Sequence, residues 1–290
     1  MNNHLTAIGY CYGAGGAHPG SGHAPVILRH SPYLPALQWQ ALLQSNDDAM
    51  KLAAIPTIAK LCQQLALHTN QLVSQQQPFI VFGGDQTASL GTWSGVAHAL
   101  RDKESLGLIW FDAHLDSHTL ETTESNNVHG MPLACLLGFG DNRLTSILDA
   151  KPKLLPQHIF LIGARSFEQG ELELLKKLHV KIYFMADVKK RGLKTIVQEV
   201  LTDLKKNTSR YGVSIDVDCI DPSDAPAVSV PEKNGIAADE LLTALTLLQK
   251  DDQFVGAEIV EFNPSFDQAH KTEQLIGKIV NTIYSKEMRS

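Results

Sequence analysis

The stretch Leu108-Ile-Trp-Phe-Asp112-Ala-His114-Leu-Asp116 decides the fold. Four apolar residues end abruptly in Asp, His and Asp at every second position. An apolar run this short and this unbroken reads as a strand covered on both faces. Its period of two turns alternate side chains to one side, so the three polar residues converge where the strand emerges. Val213-Ser-Ile-Asp216-Val-Asp218-Cys-Ile-Asp221-Pro222 has the same build, with Asp216 and Asp218 at the same spacing.

Outward from these two stretches, short apolar runs alternate with longer helical patterns. Strands are expected at residues 5–10, 79–82, 108–111, 159–162, 181–184, 213–217 and 255–260. Helices are expected at 51–76, 86–102, 169–178, 193–205, 238–248 and 272–285. Such alternation predicts an α/β fold, a mainly parallel central sheet with helices on both faces. No repeat, low-complexity tract or linker interrupts the chain, so residues 1–290 are expected to form one three-layer α/β/α domain. Two polar stretches, 12–35 and 116–130, read as long loops after strands, where open α/β sheets bind ligands. For 12–35 an ordinary ordered surface loop is the plainer alternative.

Composition excludes several classes. Hydrophobic residues make up 43% of the 290 and charged residues 19%, which suits a globular core rather than a disordered chain. The net charge of −6 presents no basic surface for nucleic acid. No run approaches the roughly 18 apolar residues of a membrane helix. The first residues lack the cationic start and apolar core of a signal peptide. Cys11, Cys62, Cys135 and Cys219 form no C-x-x-C pair, so a cytoplasmic, reducing location is expected. Gly83-Gly84-Asp85-Gln86 lacks the Lys-Ser/Thr of a P-loop, and Gly13-Ala-Gly15-Gly16-Ala-His-Pro19 fails the dinucleotide fingerprint. Neither stretch predicts a nucleotide.

Burying so many carboxylates together is costly without a cation. Carboxylates and an imidazole in one small space suit manganese, cobalt, zinc or iron. Two such ions about 3.5–4 Å apart would activate water near neutral pH. The plainer alternative is a turn at Asp221-Pro222 and strand-end capping by the other aspartates.

With these stretches in view, the chain resembles the arginase branch of the ureohydrolases over nearly its whole length. The resemblance rests on Gly83-Gly84-Asp85, Trp110-Phe-Asp112-Ala-His114-Leu-Asp116, Val128-His129-Gly130-Met131-Pro132-Leu133, Ile162-Gly163-Ala164-Arg165-Ser166, Ser214-Ile-Asp216-Val-Asp218 with Asp221-Pro222, and Glu258-Ile-Val-Glu261-Phe-Asn263-Pro264. It implies an arginase-type fold and two manganese ions held by Asp112, His114, Asp116, Asp216 and Asp218. It implies metal-dependent hydrolysis of a guanidino compound, with L-arginine giving L-ornithine and urea as the default. Asp116 would pass a proton to the departing amine, His129 would shuttle protons, and Glu261 would pair with the guanidinium. Glu168 and Glu171 would hold the α-amino group, and Thr123 and Ser125 the α-carboxylate. A homo-oligomer, trimer or hexamer, is also implied. Plainer alternatives are a turn cap for His129, first-turn helix acids for Glu168 and Glu171, and a solvated strand end for Glu261.

The chain departs from the family in three places. Gln86 stands where the family has a histidine ligand, so the ion on that side is expected to bind weakly or not at all. His118 replaces an asparagine near the α-carboxylate contacts and is a candidate for the missing imidazole, with His18 and His23 behind it. Val230 replaces a hydroxyl residue near the guanidinium, within Ala227-Val-Ser-Val230-Pro231. These departures leave two alternatives: a hydrolase of another guanidino or formimino acid, and a metal-poor homologue without catalysis.

Overall fold

The computed structural model describes residues 5–101, 104–249 and 251–284. Eight strands form one parallel sheet: β1 (Thr6–Cys11), β2 (Gln38–Gln44), β3 (Phe79–Gly83), β4 (Leu106–Phe111), β5 (Ile159–Ala164), β6 (Lys181–Phe184), β7 (Arg210–Asp216) and β8 (Phe254–Val260). Their spatial order is β2-β1-β3-β8-β7-β4-β5-β6.

The inner strands β1, β3, β4, β5, β7 and β8 bury both faces, as their apolar runs predicted, while β2 and β6 at the edges do so only in part. Along β4, Ile109 and Phe111 join one core with the helices Leu193–Asn207, Ala238–Leu245 and Lys271–Tyr284. Their neighbours Leu108 and Trp110 join the opposite core with the helices Ile55–Ser74 and Ala88–Leu100. The two-residue period therefore builds both interlayers from one strand. All six residues of β4 and all six of β5 are buried.

Local differences from the pattern have physical causes. β2 was not foreseen. It is an edge strand whose Gln-Trp-Gln-Ala-Leu-Leu-Gln sequence is only partly covered. The expected loop at 12–35 contains the helix Ala24–Arg29, six residues long and too short to show a period. The helix Met185–Arg191 was also missed. The helix expected from residue 51 begins with a 3-10 turn, Lys51–Ala54, before Pro56 sets the α-helix Ile55–Ser74. The helix expected from residue 86 starts at Ala88, because residues 84–87 turn back into the site. The expected helix ends at 102 and 285 lie outside the described residues.

Four adjacent strands, β3, β8, β7 and β4, end level with one another. Phe82 pairs with Ile259, Asp216 with Val260, and Phe111 with Ile215. The residues just past these ends face one crevice. Gly84 makes the turn after β3 possible: a Cβ there would stand 2.2 Å from the Tyr12 carbonyl oxygen.

Candidate active site

At this carboxyl edge, β4 delivers Asp112, His114 and Asp116, β7 delivers Asp216 and Asp218, β8 delivers Glu261, and the turn after β3 delivers Gln86. Asp112, Asp116, Asp216, Asp218, Gln86 and Glu261 are all buried. A cavity of about 280 Å³ opens over them and is lined by Gln86, His114, Asp116, Asp216, Asp218 and Glu261, among others.

Ligand atoms of Asp112, His114 and Asp218 lie within 4.8 Å of one another. His114 Nδ1 is 3.1 Å from Asp218 Oδ2 and 3.5 Å from Asp112 Oδ1. Neighbouring groups fix these side chains. Asp112 accepts the Trp110 indole N–H at 2.8 Å and the His114 amide at 2.7 Å. Asp216 accepts the Asp218 amide at 2.8 Å, and Asp218 accepts that of Ala113 at 3.2 Å. Asp116 Oδ2 and Gln86 Oε1 are buried without a hydrogen-bond partner among the described residues.

The electrostatics are those of carboxylates in need of positive charge. Burial, then the Asp112 charge, holds Asp116 well above the ordinary carboxylate range. Burial, with Asp218 and Asp112 beside it, does the same to Asp216. Burial and the Asp218 charge also raise Asp112. Burial opposes charge on His114, but Asp218 and Asp112 outweigh it and raise its pKa well above normal. Orphaned oxygens beside crowded carboxylates and one imidazole are a donor set that fits a divalent metal.

Beside this cluster, His129 Nδ1 lies 2.9 Å from Glu261 Oε1. Burial works against the His129 cation, yet the Glu261 charge and hydrogen bond raise its pKa above the ordinary value. Two site residues hold left-handed backbone without being glycine, Asp116 at φ 48° and Glu261 at φ 64°. Such conformations cost energy and persist where the surroundings impose them. The Glu261 amide is held by the Gly84 carbonyl at 3.0 Å.

The rim carries other foreseen residues. His118 Nε2 is 2.8 Å from Glu168 Oε2 and 3.4 Å from Glu171 Oε2, and its Nδ1 is 3.1 Å from the Thr122 hydroxyl. Both ring nitrogens are thus engaged at the rim, by two carboxylates and a hydroxyl. His18 packs edge-on against Phe266. Glu171 closes the helix Gln169–Lys177 by accepting the Glu168 amide at 3.0 Å, and it also accepts the Ser117 amide at 3.2 Å. Ser125 and Val230 line the cavity; Thr123 does not, and its hydroxyl accepts the Asn126 amide. A second cavity of about 240 Å³ adjoins the first, sharing Asn127, His129, Val230 and Glu261 with it.

Sequence reasoning missed several supporting residues. Arg165 donates to the carbonyls of Asp218 at 2.7 Å and Glu232 at 2.8 Å, and also to those of Gly163, Cys219 and Lys233. A lone arginine directly after a buried strand was the available signal. Asp85 accepts the Gly15 amide at 2.8 Å, and the Gly15 carbonyl accepts the amides of Val128 and His129. The glycine run that fails the dinucleotide fingerprint therefore seats His129. Glu232 lines the cavity, with Oε1 3.9 Å from His114 Nε2.

Comparison with known proteins agrees with this geometry. The family model for the arginase family matches residues 4–285. An arginase of Bacillus caldovelox is 37% identical over 255 residues, covering 88% of this chain and 84% of the relative. An arginase of Bacillus subtilis is 35% identical, covering 84% of this chain and 80% of the relative. The solved Bacillus caldovelox arginase superposes with a TM-score of 0.90 and 30% identity, covering 99% of each chain. A match to the family model over nearly the full length, joined to this fold and this cluster, places the chain in the arginase family of ureohydrolase enzymes.

Proposed function

We propose that the protein hydrolyses the guanidinium group of a free amino acid, L-arginine first, to L-ornithine and urea. The observation that carries this reading is an acidic cavity in which Glu261 and His129 stand beside a buried cluster of metal-type donors. A cationic, planar guanidinium suits that cavity.

In this reading Asp112, His114, Asp116, Asp216 and Asp218 hold manganese, with Gln86 serving the weaker of two ions. Bound metal supplies the acidification of water that yields a nucleophile near neutral pH. Glu261 pairs with the guanidinium through charge-assisted hydrogen bonds. The water oxygen bonds to the guanidinium carbon, the C–N bond on the ornithine side breaks, and Asp116 hands a proton to the leaving amine. His129, held by Glu261 and by the Gly15 loop, exchanges protons between cavity and solvent. Glu168 and Glu171 take the α-amino group, with His118 fixing Glu168, and Ser125 takes the α-carboxylate. We read the chain as one catalytic domain that works in the cytoplasm as a homo-oligomer.

Val230 favours a second reading. It places an apolar side chain at the junction of the two cavities, where the family resemblance expects a hydroxyl, so another guanidino acid is the alternative substrate. The test is hydrolysis with added manganese, read as urea release from L-arginine, its decarboxylated amine and shorter guanidino acids, and as formamide release from a formimino amino acid. The proposal expects the highest kcat/KM for arginine. A clear preference for another compound would select the second reading.

A further inference from the structure

Gln86 occupies the position at which the family resemblance expects a nitrogen ligand, and its surroundings determine which end of its amide faces the site. Glu258 is wholly buried on β8. Its Oε1 accepts the Trp93 indole N–H and the hydroxyls of Ser89 and Ser214, the last at 2.8 Å. An indole N–H can only donate, which marks Oε1 as the acceptor oxygen of Glu258, while its Oε2 is buried without a partner among the described residues. Each serine therefore commits its single proton to Glu258 and has only lone pairs left. The end of Gln86 that meets them must be its NH2, and Nε2 lies 2.7 Å from Ser89 Oγ and 3.4 Å from Ser214 Oγ. The amide oxygen is forced to the other side, where it is buried with no partner among the described residues. Gln86 lines the cavity together with Asp116, whose Oδ2 is also buried and unpartnered. Leaving such oxygens unpaired costs free energy that a bound cation would recover.

We infer that Glu258, acting through Ser89 and Ser214, locks Gln86 as an amide-oxygen donor, so that its metal position offers oxygen ligands only and selects manganese or magnesium over cobalt or zinc. The inference rests on the proposed hydrolase reading and concerns one of its two metal positions. Carbonyl and carboxylate oxygens suit magnesium, calcium and manganese, whereas an imidazole moves preference toward zinc and its neighbours. His114 leaves a nitrogen donor at the other position. The two positions of this chain therefore differ in kind as well as in strength. Glu258 is a positioning residue: it reaches the metal position only through other side chains.

The test uses full-length protein stripped of metal by chelation and titrated with manganese, the free ion being followed by electron paramagnetic resonance. Wild type should bind two ions, one more weakly. Gln86→Ala should lose the weaker ion, and Glu258→Gln and Ser89→Ala should weaken it by roughly 10- to 100-fold. The tighter ion should be unaffected in all three. Ser89→Ala removes no buried charge and keeps the test open should Glu258→Gln fold poorly, with circular dichroism as the check on folding. Gln86→His should raise the preference of the weaker position for cobalt over manganese by roughly tenfold or more, read from the visible absorption of bound cobalt. Unchanged weak binding in Gln86→Ala, or an unchanged metal preference in Gln86→His, would overturn the inference while leaving the hydrolase reading intact. A wild-type protein that binds no manganese would overturn both.

Discussion

His129 Nδ1 and Glu261 Oε1 lie 2.9 Å apart, and the same carboxylate oxygen accepts the backbone amide of Gln86 at 2.9 Å. One side chain thus couples the turn after β3, the end of β8 and the loop that carries His129. Its backbone is held left-handed to do so. The coupling explains why Glu261 points into the cavity instead of extending to solvent, and it fixes the imidazole before any substrate arrives.

Removing the Glu261 charge should therefore cost activity more than stability. Glu261→Gln keeps the side-chain shape but loses an ionic hydrogen bond worth about 1.5–3 kcal/mol. That corresponds to a fall in kcat/KM for arginine of roughly 10- to 100-fold. Steady-state urea release checks it, with circular dichroism confirming the fold. Activity equal to wild type would remove Glu261 from the substrate site.

Arg165 should matter through the loops it joins. Its guanidinium ties the carbonyls of Asp218 and Cys219 to those of Glu232 and Lys233. Arg165→Ala should destabilise the protein by on the order of 2–3 kcal/mol, as several backbone acceptors lose their donor. It should also diminish the thermal stabilisation given by manganese. Arg165→Lys should restore only part of either effect, because an ammonium lacks the planar fork. Thermal unfolding with and without manganese measures both. Full rescue by lysine would show that charge alone suffices.

How much could be read from the sequence follows from what each residue does. Leu108–Phe111 and Val213–Ile215 announce central strands because burial on both faces forces an unbroken apolar run. Their terminal aspartates announce a site because so many buried carboxylates side by side are costly without a cation. β2 did not announce itself, since an edge strand keeps glutamines on its open side. Arg165 and Asp85 stayed hidden for a different reason. They act on backbone groups distant in sequence, and no local spacing records which carbonyl or amide the fold brings to them. His118 shows the limit from the other direction: its two-residue offset from Asp116 suggested a ligand, but β4 ends at Phe111, Asp116 has left-handed backbone, and His118 pairs with Glu168.

Away from the site, Asp149 should tie stability to acid pH. Burial works against its charge, but His98, the Lys151 amide and Lys153 prevail and hold its pKa down to about 2. In the unfolded chain an aspartate titrates near 3.9 (roughly). The stabilisation is therefore complete above about pH 4 and is lost as pH falls through the folded value of about 2. Solvent screening limits it to on the order of 1 kcal/mol. Asp149→Asn should be less stable than wild type at neutral pH, and the gap should close toward the acid end of that window. A gap independent of pH would assign the effect to packing.

The most direct measurement of the central claim is product formation across a cycle of metal removal and return. Urea and ornithine released from L-arginine would be quantified for the protein as purified, after exhaustive chelation, and after manganese is restored. Equal amounts of the two products, loss of both on chelation, and recovery of both with manganese are expected. Release that survives removal of the metal, or a manganese-loaded protein that yields no urea from arginine or any other guanidino acid, would contradict the central claim.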